Sequence, residues 1–72
     1  MLITLNGKTK ELLNTPNLKK VIEQFCKDKT PVIAELNGEI IKTPHWENAI
    51  LKEGDTLELV SFVGGGSFVV RI

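Results

Sequence analysis

Two Asn-Gly pairs, at residues 6–7 and 37–38, constrain the fold of this chain more than any other feature of its sequence. Asn-Gly is the preferred pair at the centre of a type I′ turn, because both central residues of that turn need a positive φ. Runs with the alternation or the apolar content of β-strands come before each pair, at residues 2–6 and 32–36. The sequence therefore predicts two β-hairpins, with return strands over residues 8–13 and 39–41.

One amphipathic helix is predicted between the two hairpins. Thr15 is suited to cap the helix, and Pro16 suits the first helical position because its missing N–H would be unpaired there. We expect the helix over residues 16–28, with Phe25 filling the space between helix and sheet. Its apolar stripe follows the spacing i, i+3, i+4, i+7 and consists of Leu18, Val21, Ile22 and Phe25.

The rest of the chain adds a short turn of helix at residues 43–47 and a last strand at Thr56–Val63. In that strand Leu57 and Leu59 fall on one face, and Val60 and Phe62 on the other. This change of phase predicts either a strand covered on both faces or a β-bulge.

Taken together, the predicted elements fit one α+β architecture. One helix cannot cover two sheets, so the economical arrangement is one mixed sheet of four to five strands packed on one main helix. A right-handed crossover through the helix would place a later strand parallel to the first. This is the β-grasp, or ubiquitin-like, topology.

Composition excludes several functional classes. The chain has 72 residues, enough for one domain, and its nine basic residues balance nine acidic ones. It therefore lacks the basic surface of a nucleic-acid-binding protein, and no apolar run is long enough for a membrane span. We expect a cytoplasmic protein. Cys26 is the only cysteine and His45 the only histidine, which predicts a buried apolar Cys26, a surface His45 and no metal site.

Three consecutive glycines, Gly64, Gly65 and Gly66, follow the last predicted strand. Glycine has no Cβ, so such a run is a flexible segment narrow enough to enter the active site of another protein. We call residues 64–66 the glycine thread. A phosphate-binding loop would need a helix after the glycines, and the β-rich residues 67–70 do not predict one. A simple linker is the other structural reading.

At this point the sequence resembles the ThiS-type sulfur carrier proteins of thiamine biosynthesis. The resemblance covers residues 1–66, and the order of phenylalanine, valine and three glycines at 62–66 is its most specific part. Its motifs are LNG at 5–7, ELNGEII at 35–41, PHW at 44–46, EGD at 53–55 and VSFVGGG at 60–66.

This resemblance implies a carrier that is a substrate of other proteins and not an enzyme. A ThiF-like adenylyltransferase would use ATP to activate the terminal glycine carboxylate, a persulfide donor would convert it to a thiocarboxylate, and thiazole synthase would use the sulfur. The acceptor would be Gly66 (or Gly65), and Gly64 and Gly65 would give clearance in the partner's channel. Phe62 and Val63 would dock the base of the thread. No cofactor is expected on the carrier itself.

Residues 67–72 depart from the family pattern, because family members normally end at the glycines. With Gly66 in a peptide bond there is no carboxylate to activate. Three explanations are open: a protease removes the extension, the uncleaved chain acts as a relative without carrier activity, or the extension does not belong to the natural chain. We therefore expect a carrier domain at 1–66 and a removable extension at 67–72. The alternative functions are a carrier for molybdopterin or amino-acid synthesis, and a ubiquitin-like interaction module.

Overall fold

The computed structural model describes residues 1–13, 17–25, 32–63 and 68–71, with 62–63 and 68–71 described by their backbone alone. Both Asn-Gly pairs form the predicted turns: φ is 50° and 82° at Asn6 and Gly7, and 52° and 83° at Asn37 and Gly38. The elements in chain order are β1 (Leu2–Leu5), β2 (Lys8–Glu11), α1 (Leu18–Phe25), β3 (Val32–Leu36), β4 (Glu39–Ile41), a 3₁₀ helix (Thr43–Asn48), β5 (Thr56–Val63) and β6 (Phe68–Arg71).

The sheet is mixed, and its centre is β5. Five strands follow the order β2-β1-β5-β3-β4, and β6 also pairs with β5. β1 and β5 run parallel, with Thr4 opposite Thr56 and Leu5 opposite Leu57. The other pairings are antiparallel. This path confirms the predicted β-grasp, and the extension after the glycines contributes the sixth strand.

The helix begins later than the sequence predicted. Asn17 caps it, because the Asn17 Oδ1 accepts a hydrogen bond from the Lys20 N–H at 2.8 Å. The first backbone bond of the helix also runs to Asn17, whose carbonyl accepts from the Val21 N–H at 3.2 Å. The structure thus places the cap at Asn17 and the first helical residue at Leu18, whereas Thr15 and Pro16, to which the sequence assigned these roles, lie outside the described residues.

The core lies between α1 and one face of the sheet. Leu18, Val21 and Ile22 are buried, whereas Phe25 is only half-buried because it stands on the last turn of the helix. Phe25 still packs against the core, so the expectation that it fills the space between helix and sheet holds only in part. The sheet and the loops contribute the remaining buried apolar side chains, which are Ile3, Leu5, Leu12, Ala34, Leu51, Leu57 and Leu59.

β5 alternates regularly and carries no bulge where it pairs with β3. The register runs without interruption from Leu57 opposite Leu36 to Ser61 opposite Val32. Leu57, Leu59 and Ser61 are buried, and Glu58 and Val60 between them are half-buried. The second face of β5 is thus partly covered, and the apparent change of phase arises because a serine occupies the third buried position.

Candidate functional site

The candidate site is the end of β5, because the glycine thread continues from it. Phe62 and Val63, the predicted docking residues, form the last two positions of β5. Gly64, Gly65 and Gly66, the predicted acceptor and clearance residues, lie outside the described residues. The site is therefore defined by the backbone that holds the base of the thread, residues 61–63, and by what pairs with it.

The base of the thread belongs to the central strand of the sheet. Ser61 of β5 lies opposite Val32 of β3 on one side and opposite Val70 of β6 on the other. Ser61 is also the one polar residue among the described residues that is buried with the core, with 9% of its surface exposed. A segment that leaves such a strand has a fixed starting point, since paired and buried backbone opens less readily than a loop.

The extension folds back along β5. The register places Val60 opposite Arg71, Ser61 opposite Val70, Phe62 opposite Val69 and Val63 opposite Phe68. Residues 68–71 form this strand, and residues 67 and 72 lie outside the described residues. Residues 64–67, which lie outside the described residues, thus stand in the sequence between two strands that pair antiparallel.

Asn6 holds the neighbouring part of β5 in place. Its Nδ2 donates to the Leu59 carbonyl at 3.2 Å, and its Oδ1 accepts from the Leu59 N–H at 2.9 Å. The Asn6 side chain thus hydrogen-bonds to both backbone groups of the buried Leu59. These groups lie on the same edge of β5 as β1, just beyond the point where β1 ends. Sequence reasoning assigned Asn6 to the turn alone, because no local pattern signals a contact across 53 residues.

Apart from the end of β5, a groove lies between α1 and the 3₁₀ helix. This groove has a volume of about 390 Å³ and is lined by Lys19, Ile22, Glu23, Thr43, Pro44, Trp46 and Glu47. Lys19 Nζ contacts Glu47 Oε1 at 2.9 Å across it. This hydrogen bond and the opposite charges raise the pKa of Lys19 and lower the pKa of Glu47. Both groups are exposed, so the groove lacks the desolvated, perturbed group expected of a catalytic site.

The tryptophan of the PHW motif and the single histidine occupy positions that the fold explains. Trp46 is half-buried against the core and donates its indole N–H to the Ile41 carbonyl at 2.9 Å, so it packs as a lid. His45 is exposed on the 3₁₀ helix, as predicted. Cys26 lies outside the described residues. Among those that the structure describes, no group of histidine, cysteine and carboxylate side chains could hold a metal ion. In the same part of the chain, no helix could span a membrane.

Comparison with known proteins identifies the family. The model of the ThiS family matches residues 3–66, which ends on the last glycine of the thread. The sulfur carrier protein ThiS of Bacillus subtilis is 33% identical over 66 residues, which cover 90% of this chain and all of that protein. A thiazole synthase of Paramagnetospirillum magneticum is 28% identical over 67 residues, 93% of this chain but only 21% of that longer protein.

A solved structure agrees with these sequence matches. The crystal structure of the thiamine biosynthesis protein ThiS from Geobacter metallireducens superimposes with a TM-score of 0.76 at 28% identity, covering 92% of this chain and all of that one. The chain therefore belongs to the ThiS family of sulfur carrier proteins, and it is not itself an enzyme.

Proposed function

We propose that the chain carries sulfur as a thiocarboxylate on Gly66, after residues 67–72 have been removed. One observation carries the proposal: the family match ends on Gly66, at the end of a thread that leaves directly from the central strand of the sheet. A fixed base and a side-chain-free thread are what a carrier needs to deliver its terminus deep into partner active sites. Gly65 is the alternative acceptor.

In this proposal the chain contributes a carboxylate, and its partners supply the chemistry. A carboxylate oxygen of Gly66 attacks the α-phosphorus of ATP within an adenylyltransferase, and pyrophosphate leaves. A persulfide sulfur then attacks the activated carbonyl carbon, and AMP leaves. A thiol cleaves the resulting acyl disulfide, so the carrier keeps one sulfur and the donor ends as a disulfide. Glycine at 64–66 avoids Cβ atoms beside the reacting carbon, where a side chain would disturb the alignment.

The thiazole of thiamine is the destination that the comparisons favour. A segment similar to this chain makes up about a fifth of a protein named thiazole synthase. Thiazole synthase is therefore the proposed acceptor of the sulfur, and no observation on this chain favours molybdopterin or amino-acid synthesis.

The experiment compares chains that differ only at the carboxyl end. Residues 1–66 with a free carboxylate, the same chain with a terminal amide, and residues 1–72 are each incubated with ATP, labelled pyrophosphate and the adenylyltransferase of the same organism. Only the free carboxylate should support pyrophosphate–ATP exchange. With a persulfide donor and a thiol added, it alone should gain the mass difference between sulfur and oxygen.

Two controls complete the test. Gly66→Ala in the short chain should lose most of the exchange, because its Cβ lies next to the reacting carbon. Leu13→Ala should keep the exchange, since Leu13 is 92% exposed and lies far along the chain from the thread. Exchange from the uncleaved chain, with its mass unchanged, would contradict the need for processing.

One observation favours a second candidate function. β6 pairs with β5 over four residue pairs, so residues 68–71 are built into the sheet. An uncleaved chain that acts as a ubiquitin-like interaction module would keep such a strand. The absence of exchange from both free-carboxylate and uncleaved chains, with a demonstrably active adenylyltransferase, would support this module instead.

A further inference from the structure

Three different partners in succession pair with the backbone N–H and C=O groups along one edge of β5. At its beginning the partner is β1, where the Asp55 and Leu57 carbonyls accept from the Thr4 and Asn6 N–H groups, each at 2.9 Å. Backbone groups of successive residues in a strand point to opposite sides. The odd-numbered residues of β5 therefore present their N–H and C=O groups to this edge.

The Asn6 side chain is the second partner. The backbone turns away from β5 at Asn6 and Gly7, so β1 cannot pair with Leu59. The amide of Asn6 takes over, with its oxygen and nitrogen on the N–H and C=O of Leu59. This side chain acts as one further residue of β1, and it ends the part of the edge that the first hairpin covers.

β6 is the third partner. The next odd-numbered residues, Ser61 and Val63, lie opposite Val70 and Phe68. By the alternation, these are the pairs that exchange backbone hydrogen bonds, whereas Val60 and Phe62 direct their backbone groups to the β3 side. Loss of β6 would leave two donors and two acceptors of the central strand without a partner, directly before the glycine thread.

We propose that Ser61–Val63 forms a strand-acceptor edge, which β6 occupies in the uncleaved chain and an extended segment of thiazole synthase occupies after cleavage. This inference rests on the proposed function, in which thiazole synthase receives the thread. Main-chain pairing of this kind gives affinity without demanding particular side chains. A partner that draws in the glycine thread necessarily reaches the residues that immediately precede it.

The outer edges of the sheet support this assignment. β2 has the sequence KTKE and β4 has only three residues, beginning with Glu39. Charged residues and short length are the devices by which edge strands avoid pairing with other chains. Residues 60–63 read VSFV and carry neither device. Of the described edges, the edge at residues 60–63 is therefore suited to pairing with another chain. In the uncleaved chain, β6 competes with the partner strand for this edge.

Residue-resolved amide hydrogen exchange tests the inference in the chain of residues 1–66. Without a partner, the Ser61 and Val63 amides should exchange at least about tenfold faster than in the uncleaved chain, because their opening no longer requires β6 to detach. Saturation with the thiazole synthase of the same organism should restore the slow exchange. Glu58 and Val60 pair with β3 and serve as internal controls, with slow exchange throughout.

A matched pair of variants tests the role of β6 in the uncleaved chain. Val70→Pro removes an N–H that faces Ser61, whereas Val69→Pro removes one that faces away from β5 and is tolerable on an edge strand. The first variant should accelerate exchange at Ser61 and Val63, and the second should leave it slow. Equal exchange in both variants would overturn the assignment of the edge.

The outcomes separate this inference from the proposed function. A complex with thiazole synthase in which Ser61 and Val63 still exchange rapidly overturns the strand-acceptor edge and leaves the carrier function intact. No complex at all overturns the inference together with the thiazole destination. Pyrophosphate exchange with the adenylyltransferase, measured separately, reports on the carrier chemistry in either case.

Discussion

The two Asn-Gly turns have the same backbone but different attachments to the sheet. The φ values of Asn6 and Asn37 differ by no more than the scatter of one turn type, at 50° and 52°. Asn6 binds the backbone of Leu59 in the buried middle of β5. Asn37 accepts from the Thr56 N–H at 2.9 Å and donates to Asp55 Oδ1 at 3.0 Å, where all three residues are close to solvent.

The comparison separates two contributions of the Asn-Gly motif to stability, the turn conformation and the attachment of the asparagine side chain. The turn itself depends on positive φ, which is the same at both sites. The energetic value of the attachment depends on whether water could replace the hydrogen bonds of the asparagine side chain. Water can satisfy the Thr56 N–H if Asn37 is lost, but it has less access to the backbone of Leu59, whose side chain is fully buried.

The largest predicted effect is at Asn6, and Asn37 is its matched comparison. Asn6→Gly and Asn37→Gly both keep the positive φ and remove only the side-chain attachment. Asn6→Gly should lower the free energy of unfolding by about 2 kcal/mol, and Asn37→Gly by about 0.5–1 kcal/mol, because a partly buried pair of backbone groups is more costly to leave unpaired. Urea denaturation measures both. Equal losses would show that burial does not distinguish the two attachments.

The glycines should behave alike. Gly7 and Gly38 have φ of 82° and 83°, and a Cβ at either position would meet no atom within 4 Å. Gly7→Ala and Gly38→Ala should therefore each cost about 1–2 kcal/mol, from backbone strain alone. Thermal or urea unfolding would test this equality, and a clear difference would mean that the two turns are not equivalent in backbone energy.

A charge at Asn37 should make one turn sensitive to pH. In Asn37→Asp the new carboxylate lies beside Asp55, and their repulsion should cost about 1 kcal/mol at neutral pH. Repulsion raises the pKa of a carboxyl in the folded state, so the variant regains stability as the pH falls and a proton binds. The difference from the parent chain should shrink below about pH 5. A difference independent of pH would contradict the geometry of this pair.

The smallest effect is expected at the ion pair of Lys19 and Glu47, which also joins distant parts of the chain. Both side chains are exposed, so Lys19→Gln should change stability less than Asn37→Gly. The lowered pKa of Glu47 means that its contribution is present above the usual glutamate pKa and is lost on acidification through the lowered one. The raised pKa of Lys19 means that its contribution is present below the usual lysine pKa and is lost above the raised one. Urea unfolding at a pH between these limits, at low and at high salt, measures the contribution of the ion pair to stability. A loss in Lys19→Gln that exceeds the loss in Asn37→Gly would contradict the conclusion that burial sets the size of these effects.

Local chemistry explains how much of the fold could be predicted. The Asn-Gly turns and the stripe of Leu18, Val21 and Ile22 are short-range signals, and the hairpins and the helix followed from them. The sequence analysis assigned the cap to Thr15 because Thr15 and Pro16 together form a stronger local signal than Asn17, whose capping role emerges only from the observed contact with Lys20.

The parts of the site that escaped prediction depend on distant pairings. The attachment of Asn6 to Leu59 and the register of β6 exist only once β5 is in the centre of the sheet. The turn fully explains an asparagine before a glycine, so nothing in the sequence indicates a second role for Asn6. The function of the glycine thread, in contrast, stays a prediction from the family pattern, because its three residues lie outside the described structure.

The central position of β5 also has a consequence for how the protein is made. The strand that joins the two hairpins is the last of the five β-grasp strands to leave the ribosome, since it begins at Thr56. Until then, the nascent chain holds one hairpin on each side of α1, and an isolated hairpin is marginally stable in water. Synthesis that stops before Thr56 would therefore release a chain without a sheet, whereas synthesis that reaches the glycines has delivered every strand of the carrier domain.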